Sequence, residues 1–272
     1  MEQNILRPNF TKNIHQHYIQ KGKSVNIFGA KGVGKSRFIE DLKSLIDSDT
    51  NFVSFNMREL RTNYKKFTKK LKEELGIEGE ADTIELVLAE FAKKSGKKVL
   101  VIDHFEYLFE TNHDRAFNFD FFDQLNSFKN SDSVSLLILS THNYKHEQFY
   151  KDGELTTSPL DIYVEEITPL QQKEIADELE REIKQDLGFD NLASMIMGKE
   201  SPYHLMCFIV KEIALGRYDS NDFLERNFNR WNKQFYKINR VWHLKLYKYI
   251  RKNVSNIFGT IVKVMPWNNK KD

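Results

Sequence analysis

Eight residues, GAKGVGKS at positions 29–36, constrain this chain more than any other stretch. They stand between an apolar run, SVNIF, and a segment with helical spacing, RFIEDLKSLI. Gly29, Gly32 and Gly34 carry no Cβ, so successive backbone N–H groups can turn toward one anion at close range. The N-terminus of the following helix adds the positive end of its dipole. Strand, loop and helix in this order form a phosphate-binding unit. Lys35 is its point charge toward the β- and γ-phosphates, and the Ser36 hydroxyl is a ligand for Mg²⁺. The expected nucleotide-contacting set is Gly29, Ala30, Lys31, Gly32, Val33, Gly34, Lys35, Ser36 and Arg37, with ATP and Mg²⁺ as the ligands.

Four apolar runs, 24–28, 52–55, 98–102 and 134–140, read as buried parallel strands, and 162–167 as a weaker fifth. Between them lie helical spacings such as Phe38, Leu42, Leu45 and Ile46, or Ile84, Val87, Leu88 and Phe91. Alternating strands and helices predict an α/β fold, a mostly parallel sheet with helices on both faces. From Thr168 onward the pattern turns helical, with Thr168 as a cap and Pro169 at the helix start. Pro202 opens a further helix over 203–215, closed by Gly216. Beyond Ser220, Leu224, Phe228, Trp231, Phe235, Ile238 and Trp242 recur at alternating four and three, a helical seam. The expected division is a core at 1–168, a small helical part at 169–220 and a helical C-terminal segment at 221–272.

Charge separates that last segment from the rest. It holds 12 Lys and Arg against three acids, a net of +9, which leaves −7 on residues 1–220. A basic end on an acidic body suits an anionic partner. DNA is one candidate, met through Arg226, Arg230, Lys233, Lys237, Arg240, Lys245, Lys248, Arg251 and Lys252 between positions 226 and 252, with Trp231, Tyr236 and Trp242 available for stacking. The other reading makes the seam and the tail FGTIVKVMPW docking surfaces for a protein partner. Cys207 is the only cysteine, which excludes an intrachain disulfide and suits a cytoplasmic setting. No apolar run reaches the roughly 20 residues of a membrane span, and the first residues lack the layout of a secretory signal. A membrane association is not expected.

Two further strands end in polar groups. KKVLVIDHFEYLFE places Asp103 at a strand end, either holding Mg²⁺ through water or capping the next helix. Glu106 is the nearest carboxylate for orienting water, with Glu110 further along, or else it is a solvated helix residue. SLLILSTHNY ends in Thr141, His142 and Asn143, which at the C-terminal edge of a parallel sheet would face the γ-phosphate or the attacking water. His142 and His146 have a zinc spacing on a helix but no glutamate between them in HEXXH form and no third ligand.

With FGAKGVGKS, VLVIDHFEYL, LLILSTHN, TTSPLDIYVEEITPLQQKEIADEL and GKESPYHLMCFI together, residues 7–216 resemble the AAA+ and STAND branch of P-loop ATPases, particularly its archaeal-type ATPase and origin-recognition members. The resemblance implies a helical lid after the sheet, with Pro202 beside the adenine. It places residues 7–10, ahead of the first helix, next to the base. It also implies that Asn56 contacts the catalytic carboxylate, and that the chain assembles into a homo-oligomer. The chain departs from the pattern in three places. His104 follows Asp103 where relatives carry Glu, no Arg follows the SPL segment, and no arginine stands near Pro202. Arg115 is the one nominee for a trans-acting finger. These departures point to a slow nucleotide-governed switch rather than a motor.

Overall fold

The structure, a computed structural model, describes residues 4–78, 83–109, 114–131, 134–144, 148–151, 154–183, 188–199, 201–216 and 226–227. The chain divides into two compact units, Met1–Val210 and Lys211–Asp272. In the second unit, the seam from Leu224 to Trp242 and the basic positions beyond Arg226 lie outside the described residues, as do Glu110 and His146.

The first unit begins with α1 (Pro8–Ile14), continued by a π-helical stretch at His15–Ile19, and then β1 (Val25–Phe28). After the glycine-rich loop come α2 (Lys35–Leu45), β2 (Asn51–Asn56), a one-turn α3 (Met57–Leu60), α4 (Tyr64–Glu74) and α5 (Ile84–Lys93). β3 (Lys98–Asp103) runs into a 3₁₀ turn at Phe105–Phe109, followed by α6 (Phe119–Lys129) and β4 (Val134–Ser140). A hairpin, β5 (Gln148–Lys151) with β6 (Glu154–Thr157), precedes β7 (Tyr163–Glu166). The helices α7 (Gln172–Glu182), α8 (Phe189–Ile196) and α9 (Pro202–Ala214) follow.

β1 to β4 and β7 form a five-stranded sheet in the order β2-β3-β4-β1-β7, with every pairing parallel. This is the α/β architecture expected from the sequence. The apolar runs are continuous because each strand interior packs on both faces, with alternate residues going to opposite sides. Leu100, Ile102, Leu136 and Ile138 join Phe67, Phe91, Phe121 and Leu125 of α4, α5 and α6 in one cluster. Val99, Val101, Leu137 and Leu139 join Phe10, Ile14, Phe38 and Leu42 of α1 and α2 in the other. Phe67 packs edge-on against Phe55, Phe117 and Phe121 at 5.5–5.8 Å between ring centroids.

Helix starts follow local chemistry. Asn63, Thr83 and Asn118 accept from the backbone N–H groups of Lys66, Leu86 and Phe121 at the starts of α4, α5 and α6. The expected start at Thr168-Pro169 is corrected. α7 begins at Gln172, where Gln171 and Glu174 form a reciprocal capping box and the Gln171 N–H donates to Glu174 Oε2 at 2.9 Å. The β5–β6 hairpin was not anticipated, although Asp152-Gly153 between its strands is a two-residue hairpin signal. Among the described residues no helix is long and apolar enough to cross a membrane.

Candidate phosphate-binding site

The loop after β1 is held from both sides of the sheet. The Gly29 N–H donates to Ser140 O of β4 at 3.2 Å, and the Ile167 N–H donates to Phe28 O at 2.9 Å. Ile167 then lies so close that a Cβ at Gly29 would be 2.4 Å from its Cγ2, which only glycine avoids. Gly32 has φ +85°, and a Cβ there would be 2.7 Å from Ser201 Cβ. Gly34, at φ 99°, is the residue from which α2 starts. The α2 amides ahead of Phe38, whose N–H already donates to Gly34 O, thus open toward the point where the loop closes, a ready anion site.

Lys35 Nζ donates to Gly29 O at 2.5 Å and to Ala30 O at 3.1 Å, curling back along the loop. Burial pushes its ammonium below the ordinary range, Glu106 and then Asp103 pull it back up, and Lys31 adds to the lowering. The Ser36 hydroxyl donates to Asp103 Oδ2 at 3.3 Å. Asp103 is 6% exposed at the end of β3, and β3's register with β4 brings it to the loop's side. It does not cap the 3₁₀ turn by a conventional route. The next residue, His104, adopts φ 58°, a left-handed backbone that non-glycine residues rarely take. In that conformation the His104 N–H donates to Asp103 Oδ1 at 2.8 Å, and His104 Nδ1 lies 3.0 Å from Oδ2.

Glu106 follows on the 3₁₀ turn, and its Oε2 is buried without a hydrogen-bond partner. An unpartnered buried carboxylate oxygen on the side of Lys35 and Asp103 is the kind of atom a bound water or cation satisfies. Thr141 follows β4, the strand between β1 and β3, and is half-buried. Asn56 is level with Asp103 in the β2–β3 register, but its side-chain oxygen accepts from the Arg58 N–H at 3.0 Å as the cap of α3. Arg58 Nε donates to Tyr107 Oη at 3.2 Å. That bond, with the charges of Glu106 and Asp103 behind it, raises the Arg58 pKa despite partial burial.

Arg37 is turned away from the loop. Its Nε contacts Asp41 at 2.7 Å, one terminal nitrogen contacts Glu178 at 2.5 Å, and the other donates to Asn4 O at 3.0 Å. Burial opposes its charge, but Asp41 and then Glu178 outweigh that and hold its pKa above the ordinary value. Glu178, 3% exposed on α7, also pairs with Arg181 at 2.5 Å. Arg37 therefore ties α2 to α7, a role that spacing along the chain does not reveal. Pro202 is the first residue of α9, and its neighbours reach the loop. The Ser201 hydroxyl donates to Lys31 O at 3.1 Å, and the His204 N–H donates to Gly32 O at 3.3 Å.

Arg7, expected next to the base and ahead of the first helix, buttresses the loop directly before α1. It is 2% exposed; its Nε donates to Thr168 O at 2.8 Å and one terminal nitrogen donates to Val33 O at 2.6 Å. Burial lowers its pKa to about 10, against the upward pull of Glu174, Asp41 and Tyr203, so it stays a cation at neutral pH. Arg115 is exposed, on the stretch leading into α6. Among the described residues no group of three His, Cys, Asp or Glu side chains could hold a metal ion by itself. A cavity of about 350 Å³ beside Lys23, Lys129 and Asp161 opens at the start of β1, the end of the strand remote from the loop.

A parallel sheet in this order, with a glycine loop leading into α2 and Asp103 beside Ser36, defines the P-loop nucleoside-triphosphatase fold. Within it, residues 19–147 match the family model of the AAA domain, and the chain has the fold seen in origin-recognition-like P-loop ATPases. The Aeropyrum pernix ORC2 protein, solved in ADPNP–ADP complexes, aligns with a TM-score of 0.58 at 12% identity, over 81% of this chain and 66% of that one. A Walker-type ATPase of Pyrococcus abyssi aligns with a TM-score of 0.55 at 13% identity, over 92% and 76%. The Aeropyrum pernix ORC1 protein, solved in complex with DNA, aligns with a TM-score of 0.50 at 15% identity, over 80% of this chain and 61% of that one. The chain thus spans less than two thirds of either origin-recognition protein. No protein of curated function matches it in sequence.

The Arg37 network generates a stability prediction. Glu178→Ala leaves Arg37 short of its α7 partner in a setting where Glu178 is 3% and Arg37 14% exposed, and should lower unfolding stability by about 3 kcal/mol. Arg181→Ala removes the partner that is 41% exposed and should cost under about 1 kcal/mol. Urea unfolding of both variants checks this; equal effects would mean the Arg37–Glu178 contact does not join α2 and α7.

Proposed function

We propose that this protein is an ATP-binding, slowly hydrolysing regulatory ATPase that changes its assembly or partner binding with nucleotide state and acts on DNA in the cytoplasm. One observation carries the nucleotide part. Lys35, Ser36 and Asp103 meet at the N-terminus of α2, with Ser36 and Asp103 in contact across 67 residues. The phosphates lie on the loop amides, Lys35 leaves its loop carbonyls for the β- and γ-phosphates, and Pro202 flanks the adenine. The hydroxyl of Ser36 and the carboxylate of Asp103 form an oxygen pair suited to Mg²⁺, which supplies charge neutralisation at the phosphates when bound.

Hydrolysis in this reading uses Glu106. Water attacks the γ-phosphorus, the bond to the β,γ-bridging oxygen breaks, and ADP and phosphate leave as the Glu106 carboxylate accepts the water's proton. Thr141 contacts the γ-phosphate, and Asn56 holds the catalytic carboxylate between turnovers. His104 in place of a second acid after Asp103, and the departure at Pro202, where no arginine stands near it in the sequence, support a slow rate. Lys35→Ala should abolish tight Mg-ATP binding in calorimetry while leaving the circular dichroism spectrum unchanged. Glu106→Gln should keep binding and lose about 10²–10⁴-fold in turnover. Normal turnover in Glu106→Gln together with loss in His104→Ala would move the base to His104.

The DNA part rests on the +9 carried by residues 221–272 and on the fold shared with an origin-recognition protein solved on DNA. If about five of those basic residues meet phosphates, log affinity for duplex DNA should fall with log salt at a slope near −4.5. Reversing Lys245, Lys248, Arg251 and Lys252 should weaken all sequences alike, since phosphate contacts carry no sequence information. Fluorescence anisotropy with ATP at two salt concentrations measures both. Absence of binding at low salt, or indifference to the reversals, transfers the segment to a protein partner docked on the Leu224–Trp242 seam.

A further inference from the structure

α9 brings an imidazole to the phosphate loop. The His204 N–H is bonded to Gly32 O at 3.3 Å, and its Nδ1 lies 3.2 Å from the place a Gly32 Cβ would occupy. Ser201, one turn earlier, is bonded to Lys31 O, so the start of α9 is anchored to the loop by two hydrogen bonds on consecutive loop residues. The backbone at His204 therefore stays on the loop as long as the start of α9 does. It stands among cations, since Lys31 and Lys35 both act on it.

We propose that His204 is a phosphate-contacting residue delivered by α9, and that it takes up a proton when a nucleoside triphosphate binds. The inference rests on the ATP-binding reading of the loop. Burial first, then Lys31 and Lys35, hold the imidazole below its ordinary value of 6.5, so without phosphate it is neutral at physiological pH. On its own helix Tyr203 interacts with Cys207 and with Arg37 of α2, and Arg7's guanidinium approaches Gly34 alongside Tyr203. From β3 and the 3₁₀ turn, Asp103 and Glu106 act on Lys35. A triphosphate brings several negative charges against the same two lysines, which reverses the sign of the potential at the ring and favours imidazolium. The sign of the linkage follows. The complex binds more protons than the free protein, so affinity strengthens as pH falls through the interval between the lowered free value and the raised bound value.

This also gives the chain a cation at the start of α9, where no arginine stands near Pro202 in the sequence. Unlike an arginine, that cation exists only while phosphate is present. Helix α9 is thereby gripped more firmly by triphosphate than by the loop alone, which couples occupancy of the loop to the placement of α9.

Isothermal titration calorimetry of the full chain with Mg²⁺ and a non-hydrolysable ATP analogue tests the proposal. Wild type, His204→Gln and His204→Lys are compared at about pH 6 and about pH 8, in two buffers of different ionisation enthalpy. Each unit by which binding raises the imidazole pKa is a tenfold gain in affinity at the acid end. Wild type should lose up to about tenfold more affinity than His204→Gln on going from the lower to the higher pH, and should take up roughly half a proton more near neutrality. His204→Lys, a permanent cation, should bind tightly at both pH values. Protonation of the analogue itself is common to all three proteins and cancels in the comparison. Equal pH dependence and equal proton uptake in wild type and His204→Gln, with binding intact, would overturn the role of His204 and leave the nucleotide site standing. Loss of binding in His204→Gln that His204→Lys does not restore, with both variants folded by circular dichroism, overturns it equally. Failure of wild type to bind at either pH removes the nucleotide reading and this inference together.

Discussion

β1 is hydrogen-bonded along both edges, to β4 on one side and β7 on the other, and the phosphate loop takes its position from that double pairing. Because both pairings are parallel, the ends of β4 and β7 arrive level with the end of β1. Ser140 O is then in place for the Gly29 N–H, and Ile167 stands where a side chain at position 29 would have to go. The same level arrangement carries through β4 to β3, so Asp103 ends its strand beside Ser36 rather than a layer away. A sheet slipped by one residue would turn every buried strand residue to the opposite face and separate these groups, so the two apolar clusters protect the site geometry as much as the fold.

Around that frame, cations are placed by partners rather than by exposure. Arg7 is nearly inaccessible and remains charged because carbonyls of Val33 and Thr168 accept from it and Glu174 and Asp41 lie within its field. Arg37 is held more strongly still, between two buried carboxylates on α2 and α7. Lys35 is different. Like Arg7 it has carbonyl partners and a depressed pKa, but it opens α2 at the end of the glycine loop, so it is the cation placed to gain from an arriving anion. The division suits a site in which two arginines brace the scaffold and the lysine meets the ligand.

Much of this was legible in the chain. β4 was readable to its boundaries, and β1, β2 and β3 to within a residue or two, because strands buried on both faces leave unbroken apolar runs bounded by polar residues. The start of α7 was not, since Thr168-Pro169 imitates a helix start while the capping box at Gln171 and Glu174 sets the real one. Thr168 is instead engaged through its carbonyl by Arg7, a contact across 161 residues. His104 reads as a missing acid, but its left-handed backbone and its bond to Asp103 follow from the tight exit of β3 into a 3₁₀ turn. Propensity alone does not encode that turn, because only a few per cent of non-glycine residues take positive φ, even though histidine does so more often than most.

The sequence by itself determined the phosphate loop, the buried parallel strands and the carboxylate at the end of β3, for a physical reason. Each depends on neighbours a few residues away: glycines that free consecutive amides, apolar runs that must be covered, a polar residue where a buried strand emerges. Tertiary structure alone decided which side chains surround the loop. Arg37 became a strut to α7, and Arg7, Ser201 and His204 became contacts of the loop itself, across separations from 26 residues for Arg7 and Val33 to 172 for Gly32 and His204. Those pairings are set by the order of the strands and by how α2, α7 and α9 pack at the sheet's C-terminal end, and no periodicity along the chain records which surfaces will meet.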